Sequence, residues 1–115
     1  MSKNNLEERL IKFAKSIIDL VQAMPENKVA NHLGMQLLRS GTSTALNYGE
    51  AQSGESKKDF IHKINIVLKE LRESNVCLRL IDHTISFNNN ESISFIIKES
   101  DELIAIFVKS VQTAK

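Results

Sequence analysis

The chain has 115 residues, 15 basic and 14 acidic side chains for a net charge of +1, 42% hydrophobic residues and a single cysteine, Cys77. That is enough for one domain, 1–115, with a real core. It is too apolar for a disordered chain and too evenly charged for the strongly basic footprint of a dedicated nucleic-acid binder, and it has no cysteine pair for an internal disulfide. The N-terminus lacks an apolar signal core, and no apolar run approaches the ~18 residues of a membrane span. The expectation is a soluble, cytoplasmic, bacterial-type protein with no membrane partner. One proline and four glycines favour long helices over a turn-rich β fold.

Periodicity predicts four helices in chain order. The first covers about 5–24, with Leu6, Leu10, Phe13, Ile17, Leu20 and Met24 at alternating steps of four and three. Pro25 stops it. The second covers about 28–51, with Ala30, Leu33, Leu37, Gly41, Ala45 and Tyr48 on one side. After a break at Gln52-Ser53-Gly54, the third covers about 55–87, capped by Ser53. Its seam is Phe60, Ile64, Val67, Leu71, Leu78, Ile81 and Ile85, interrupted by Ser74. Asn88-Asn89-Asn90 is a turn, with Asn90 as cap of a fourth helix over about 91–113 that carries Ile93, Ile96, Ile97, Ile104, Phe107, Val108 and Val111. Short connections make sequential helices antiparallel neighbours, so the architecture expected is an all-α, up-down-up-down four-helix bundle. The third helix, about 50 Å long at 1.5 Å per residue, should overhang the others. A second apolar stripe on the first helix (Ile11, Ala14, Ile18, Val21) and the paired apolar residues of the fourth exceed what one seam buries. The surplus points to self-association.

The second helix is crowded with hydrogen-bonding side chains. Gln36, Arg39, Ser43, Asn47 and Glu50 are spaced by three, four, four and three residues, so they share one face. On the third helix Ser56, Asp59, Lys63, Glu70 and Glu73 recur at similar steps. If these faces meet, Arg39 pairs with Glu70, and Asn47 or Glu50 with Lys63. The first reading is a polar layer that sets helix register; a ligand or nucleic-acid face is the second. Catalysis finds little support. A di-iron site needs two Glu-x-x-His elements, and the chain offers one approximation, Asp59-x-x-His62. Gly49 and Gly54 lack the phosphate-loop spacing, Ser40-Gly41 is not in a strand-turn-helix setting, and Cys77 reads as a small buried hydrophobe. The expectation is a non-enzyme without metal or cofactor.

The run Gln36, Arg39, Ser43, Asn47, Glu50, then Ser56, Lys58, Asp59, Phe60 and Glu70 resembles the signature of the 23S rRNA intervening-sequence proteins. Members read Q-x-x-R-S/A-x-x-S-x-x-x-N-x-x-E, then S-x-K-D-F at the start of the third helix. The resemblance is strongest from Gln36 to Leu80 and implies a left-handed antiparallel four-helix bundle without established catalytic activity. The family is also similar to the accessory proteins of diversity-generating retroelements, which implies a pentameric homo-oligomer associated with nucleic acid. Two departures from the resemblance stand out: those accessory proteins are basic, and relatives often carry Glu, an aromatic and Trp just after the Glu70 region, where this chain has Asn75, Val76 and Cys77.

Two functional expectations follow. One is a homo-oligomeric accessory factor that contacts RNA or a nucleic-acid-bound protein through Arg9, Lys12 and Lys15 on the first helix and Lys57, Lys58 and Lys63 on the third. The other is a protein–protein interaction scaffold without nucleic-acid binding.

Overall fold

The computed structural model describes residues 3–53, 56–87 and 90–114. These form four helices: α1 (Lys3–Ala23), α2 (Lys28–Gln52), α3 (Lys57–Thr84) and α4 (Asn90–Ala114). Local chemistry explains most of the boundaries. Pro25 has no N–H to continue α1, and Met24 closes that helix with a hydrogen bond to the carbonyl of Val21 at 3.2 Å. Asn27 caps α2, its side-chain oxygen accepting from the Ala30 N–H at 2.9 Å.

The third helix is shorter than its periodicity suggests. Ser53 does not cap it; Ser53 ends α2 instead, donating its N–H back to Glu50 at 3.2 Å. The cap is Ser56, whose hydroxyl accepts from the Asp59 N–H at 3.1 Å. At the other end the backbone turns extended at Ile85 (φ −115, ψ 120), so α3 stops at Thr84 rather than Phe87. At roughly 42 Å for its 28 residues, α3 is shorter than the ~50 Å expected and remains the longest of the four helices. Asn90, expected as a cap, is the first residue of α4. The expected turn residues Gly54, Asn88 and Asn89 lie outside the described residues.

The helices pack in a cycle, α1 on α2, α2 on α3, α3 on α4, with a sparser seam between α4 and α1. The diagonal pairs come no nearer than 8 Å between Cα atoms and meet through side chains across the core. Tyr48 of α2 sets its ring edge-on to Phe107 of α4, at 5.6 Å between centroids and 81° between planes. The predicted seams form this core: Leu10, Ile17, Leu37, Ile64, Leu71, Leu78, Ile81, Ile93 and Phe107 are all essentially buried. Each such side chain contributes about 1.5–3 kcal/mol of transfer free energy. Leu103, absent from the predicted seam of the fourth helix, is also fully buried. The second stripe of α1 divides: Ala14 is buried, while Ile11 and Ile18 face outward.

Gly41 sets the distance between α1 and α2. A Cβ there would lie 2.4 Å from Cδ1 of Ile17 and 3.1 Å from its Cγ2. Two helix backbones can therefore approach at this level only because the side chain is missing.

Candidate functional site

The polar face of α2 meets α3 as the spacing predicts. Arg39 donates through Nη1 to Glu70 Oε2 at 3.0 Å and through Nη2 to Glu73. The Glu73 hydrogen bond, ahead of the neighbouring charges, raises the Arg39 pKa above its ordinary value. Further along, Lys63 donates to Glu50 Oε1 at 2.6 Å, so Glu50 rather than Asn47 is its partner. Not every member of the signature crosses between helices. The Ser43 hydroxyl donates to the Arg39 carbonyl at 2.7 Å, and the Asn47 amide donates to the Ser43 carbonyl at 2.9 Å. Both side chains are absorbed by their own helix. Ser56 and Asp59 are bound to each other's segment as cap and first turn, and Gln36 is exposed.

Behind this surface layer lies a buried one that the periodicity did not reveal. Ser40 and Ser74, both completely buried, hydrogen-bond across α2 and α3 at 2.9 Å between hydroxyl oxygens. Ser74 is thus no defect in the seam of α3 but half of a polar pin. Asn75, the next residue, turns to α4: its amide donates to Ser100 Oγ at 2.7 Å and to Asp101 Oδ1 at 2.9 Å. Its oxygen accepts from Arg79 Nε at 3.0 Å. Among the described residues every buried side-chain N or O has a hydrogen-bond partner, as a native-like polar interior requires. A serine inside an apolar period was the available signal for the first pin. The second joins residues 25 apart on separate helices, beyond the reach of any local spacing.

The segment Asn75-Val76-Cys77 therefore has three different surroundings. Asn75 bonds α4, Val76 is half-exposed, and the Cys77 thiol is buried and donates to the Leu33 carbonyl at 3.4 Å. Burial, helped by the negative charge of Glu73, pushes the Cys77 pKa up to about 11, so it stays a thiol and a poor nucleophile.

The cationic candidates separate into two groups on α1 and α3, diagonal helices that do not bring them together. Arg9 is committed to α4. Its Nε and Nη2 form a fork on Glu99, both arms 2.8 Å, and Nη2 also reaches Glu102 at 2.9 Å. The Glu99 hydrogen bond is the main cause of an Arg9 pKa held above the ordinary value. Lys15 pairs with Asp19 at 2.9 Å one turn along α1. Lys12, Lys57 and Lys58 are exposed.

Two grooves run along opposite sides of the molecule. Between α1 and α4, Ser16, Phe95 and Ile96 join two adjacent depressions of ≈ 520 and ≈ 360 Å³. Between α2 and α3, Leu33, Val76, Cys77 and Leu80 line a shallow groove of ≈ 520 Å³. Among the described residues no three His, Cys, Asp or Glu side chains gather closely enough to hold a metal ion. Among the same residues no helix is long and apolar enough to cross a membrane.

This geometry defines an all-α protein of four packed helices, locked by polar pins and ion pairs along its seams. The chain belongs to the 23S rRNA-intervening sequence protein family, whose model matches residues 3–109. It is also similar to the crystal structure of a protein of unknown function from the S23 ribosomal protein family of Bacteroides thetaiotaomicron. That protein is 30% identical with a TM-score of 0.82, and the match covers 97% of this chain and 99% of that one. No curated protein matches the chain.

Proposed function

We propose that this protein is a non-enzymatic, homo-oligomeric accessory factor of the cytoplasm that associates with RNA or a ribonucleoprotein. The observation that carries the reading is the contrast between interior and surface. Inside, the buried polar groups Ser40, Ser74 and Asn75 are engaged in helix-to-helix bonds, which leaves them little capacity for chemistry. Outside, Phe95, Leu46 and Met35 are each more than 60% exposed, on two different sides of the molecule. Apolar side chains left uncovered in this way favour burial against further copies. A left-handed antiparallel bundle is the protomer we propose. Its antiparallel sense is supported by α2–α3 partners whose numbers rise on one helix as they fall on the other: Leu33 with Cys77, Ser40 with Ser74, Glu50 with Lys63. A pentamer is the assembly implied by the resemblance to the retroelement accessory proteins.

Light scattering on purified protein over a hundredfold range of concentration tests the assembly. A constant mass near five protomers is expected, dropping toward one for Phe95→Asp; a wild-type monomer at all concentrations refutes it. Retardation of a structured RNA at about 50 mM salt tests the association, and no retardation refutes it. The same apolar surfaces favour one rival reading, a protein–protein scaffold. It predicts a complex with a defined protein partner whose mass is unchanged by nuclease.

A further inference from the structure

The outward face of α3 carries a charge pattern unlike that of its neighbours. At alternating steps of four and three it presents Lys58, His62, Lys69, Arg72, Arg79 and His83. Asn65 and Val76 fill the two intervening positions of the row, and all eight residues are exposed. No Asp or Glu falls on this row. By contrast, the outward face of α1 sets Lys12 and Lys15 among Glu8 and Asp19, and that of α4 sets Lys98 and Lys109 among Glu91 and Glu102.

The acidic residues nearest the middle of the α3 row are turned aside. Glu70 and Glu73 both accept from Arg39 on the α2 side, while Asp59 and Asp82 flank the row near its two ends. Among the described residues no carboxylate lies within ion-pair distance of Lys58, Lys69 or Arg72, whereas Arg9, Lys15 and Lys63 are each paired. Arg79 engages Asn75 through Nε alone, which leaves the two terminal nitrogens of its guanidinium toward solvent.

We infer that this face of α3 is the surface on which the protein takes up RNA, gripping the phosphate backbone along the helix. The inference rests on the RNA association proposed above and moves its site away from the cations of α1. A straight row roughly 37 Å long, at 1.5 Å per residue, offers point charges but no pocket, which suits a linear polyanion better than a small anion. With Val76 the one apolar residue in the row, it lacks the continuous apolar stripe that a helix needs to enter a membrane surface. The grip is independent of base sequence, because backbone phosphates carry no sequence information.

Its magnitude follows from counterion release. Four cations, each releasing about 0.9 counterions on a duplex, give a slope near −3.6 in log affinity against log salt. Raising salt from about 50 to 200 mM then weakens binding roughly 150-fold; with one cation left, the loss is about 3.5-fold. The experiment measures binding of a fluorescently labelled 20-base-pair RNA duplex across that range. It compares wild type, the α3 variant Lys58→Gln/Lys69→Gln/Arg72→Gln, and a charge-matched variant, Lys12→Gln/Lys15→Gln/Lys109→Gln. All six positions are exposed, and circular dichroism confirms that each variant is folded.

The expected result is a shallow slope and at least tenfold weaker binding at low salt for the α3 variant, with the control close to wild type. Wild-type binding that both variants lose equally, or that the α3 variant retains, overturns the α3 site and leaves RNA association standing. A wild type that fails to bind at low salt overturns both. Displacement of the duplex by polyglutamate at equal charge concentration assigns the row to acidic protein chains and overturns the RNA assignment.

Discussion

The contact between Gly41 and Ile17 permits a sharp test of the α1–α2 packing. Replacing a helix-interior glycine with alanine normally stabilises by about 1 kcal/mol through backbone entropy and solvation. At Gly41 the new methyl group would stand 2.4 Å from Ile17 Cδ1 and 3.1 Å from Cγ2, against an optimum near 3.5–4.0 Å. Rotation about χ2, which swings Cδ1 away, relieves the first clash. It does not relieve the second, because Cγ2 is attached to a β-branched carbon held in one rotamer by the helix. Ile17 is fully buried, so α1 must shift as a whole, and overpacking of this kind costs about 1–3 kcal/mol. The net expectation for Gly41→Ala is destabilisation of about 1 kcal/mol.

Gly49 supplies the internal control, since its added methyl meets nothing nearer than Glu7 Oε2 at 3.7 Å. Gly49→Ala should gain about 1 kcal/mol. The two variants then differ by about 2 kcal/mol, or roughly 8 °C in melting temperature for a domain of this size. Thermal unfolding followed by circular dichroism at one fixed protein concentration measures the difference. Ile17→Val, which removes Cδ1, should cost less in the Gly41→Ala background than alone. A Gly41→Ala protein that melts at or above Gly49→Ala would refute the close approach of these helices.

Other expectations concern the seams. Arg9→Ala, which removes the fork on Glu99, should destabilise by about 1–2 kcal/mol and speed amide exchange in α1 more than in α3; equal changes in the two helices would count against a seam held by this arginine. Arg39→Met alone should destabilise, because it strands the nearly buried Glu70 carboxylate, while Arg39→Met/Glu70→Leu should return close to wild type in urea denaturation. A double variant no better than the single would show that the pair is not coupled.

Burial raises the folded Cys77 pKa to about 11, above the ~8.5 of an unfolded thiol. Its contribution to stability is therefore complete below the unfolded value and is lost as pH rises through that value toward the folded one. Between about pH 9 and 11 the wild type should lose more stability than Cys77→Ala. Parallel curves for the two proteins would rule that contribution out.

The long-period features of the fold were legible in the sequence because they repeat. Apolar steps of three and four gave four helices within a few residues of their observed bounds. The same arithmetic on polar residues placed Arg39 opposite Glu70 and left Asn47 or Glu50 as the partner of Lys63, a choice the structure makes for Glu50. Features that depend on a single residue or a distant partner were not legible. Ser53 and Ser56 both suit a cap, and the choice turned on the Asp59 N–H that Ser56 reaches. Arg9 carries nothing in its own neighbourhood that points to Glu99, 90 residues away. Its identification as a nucleic-acid contact failed to anticipate that partner. The basic row of α3 was present in the spacing all along, but its meaning required knowing which carboxylates turn toward α2.

The consecutive residues Ser74 and Asn75 have a consequence for how this architecture can vary. One fastens α3 to α2 and the other fastens it to α4 at the same height, so three helices are indexed to a single turn. One residue added to α3 between its cap and Ser74 would swing both side chains by about 100° and lift them by about 1.5 Å, and both pins would be lost together. Shortening would do the same in the opposite sense. Changes of length are therefore tolerable beyond the helix ends, whereas the span from Ser56 to Ser74 behaves as a ruler whose number of residues is fixed.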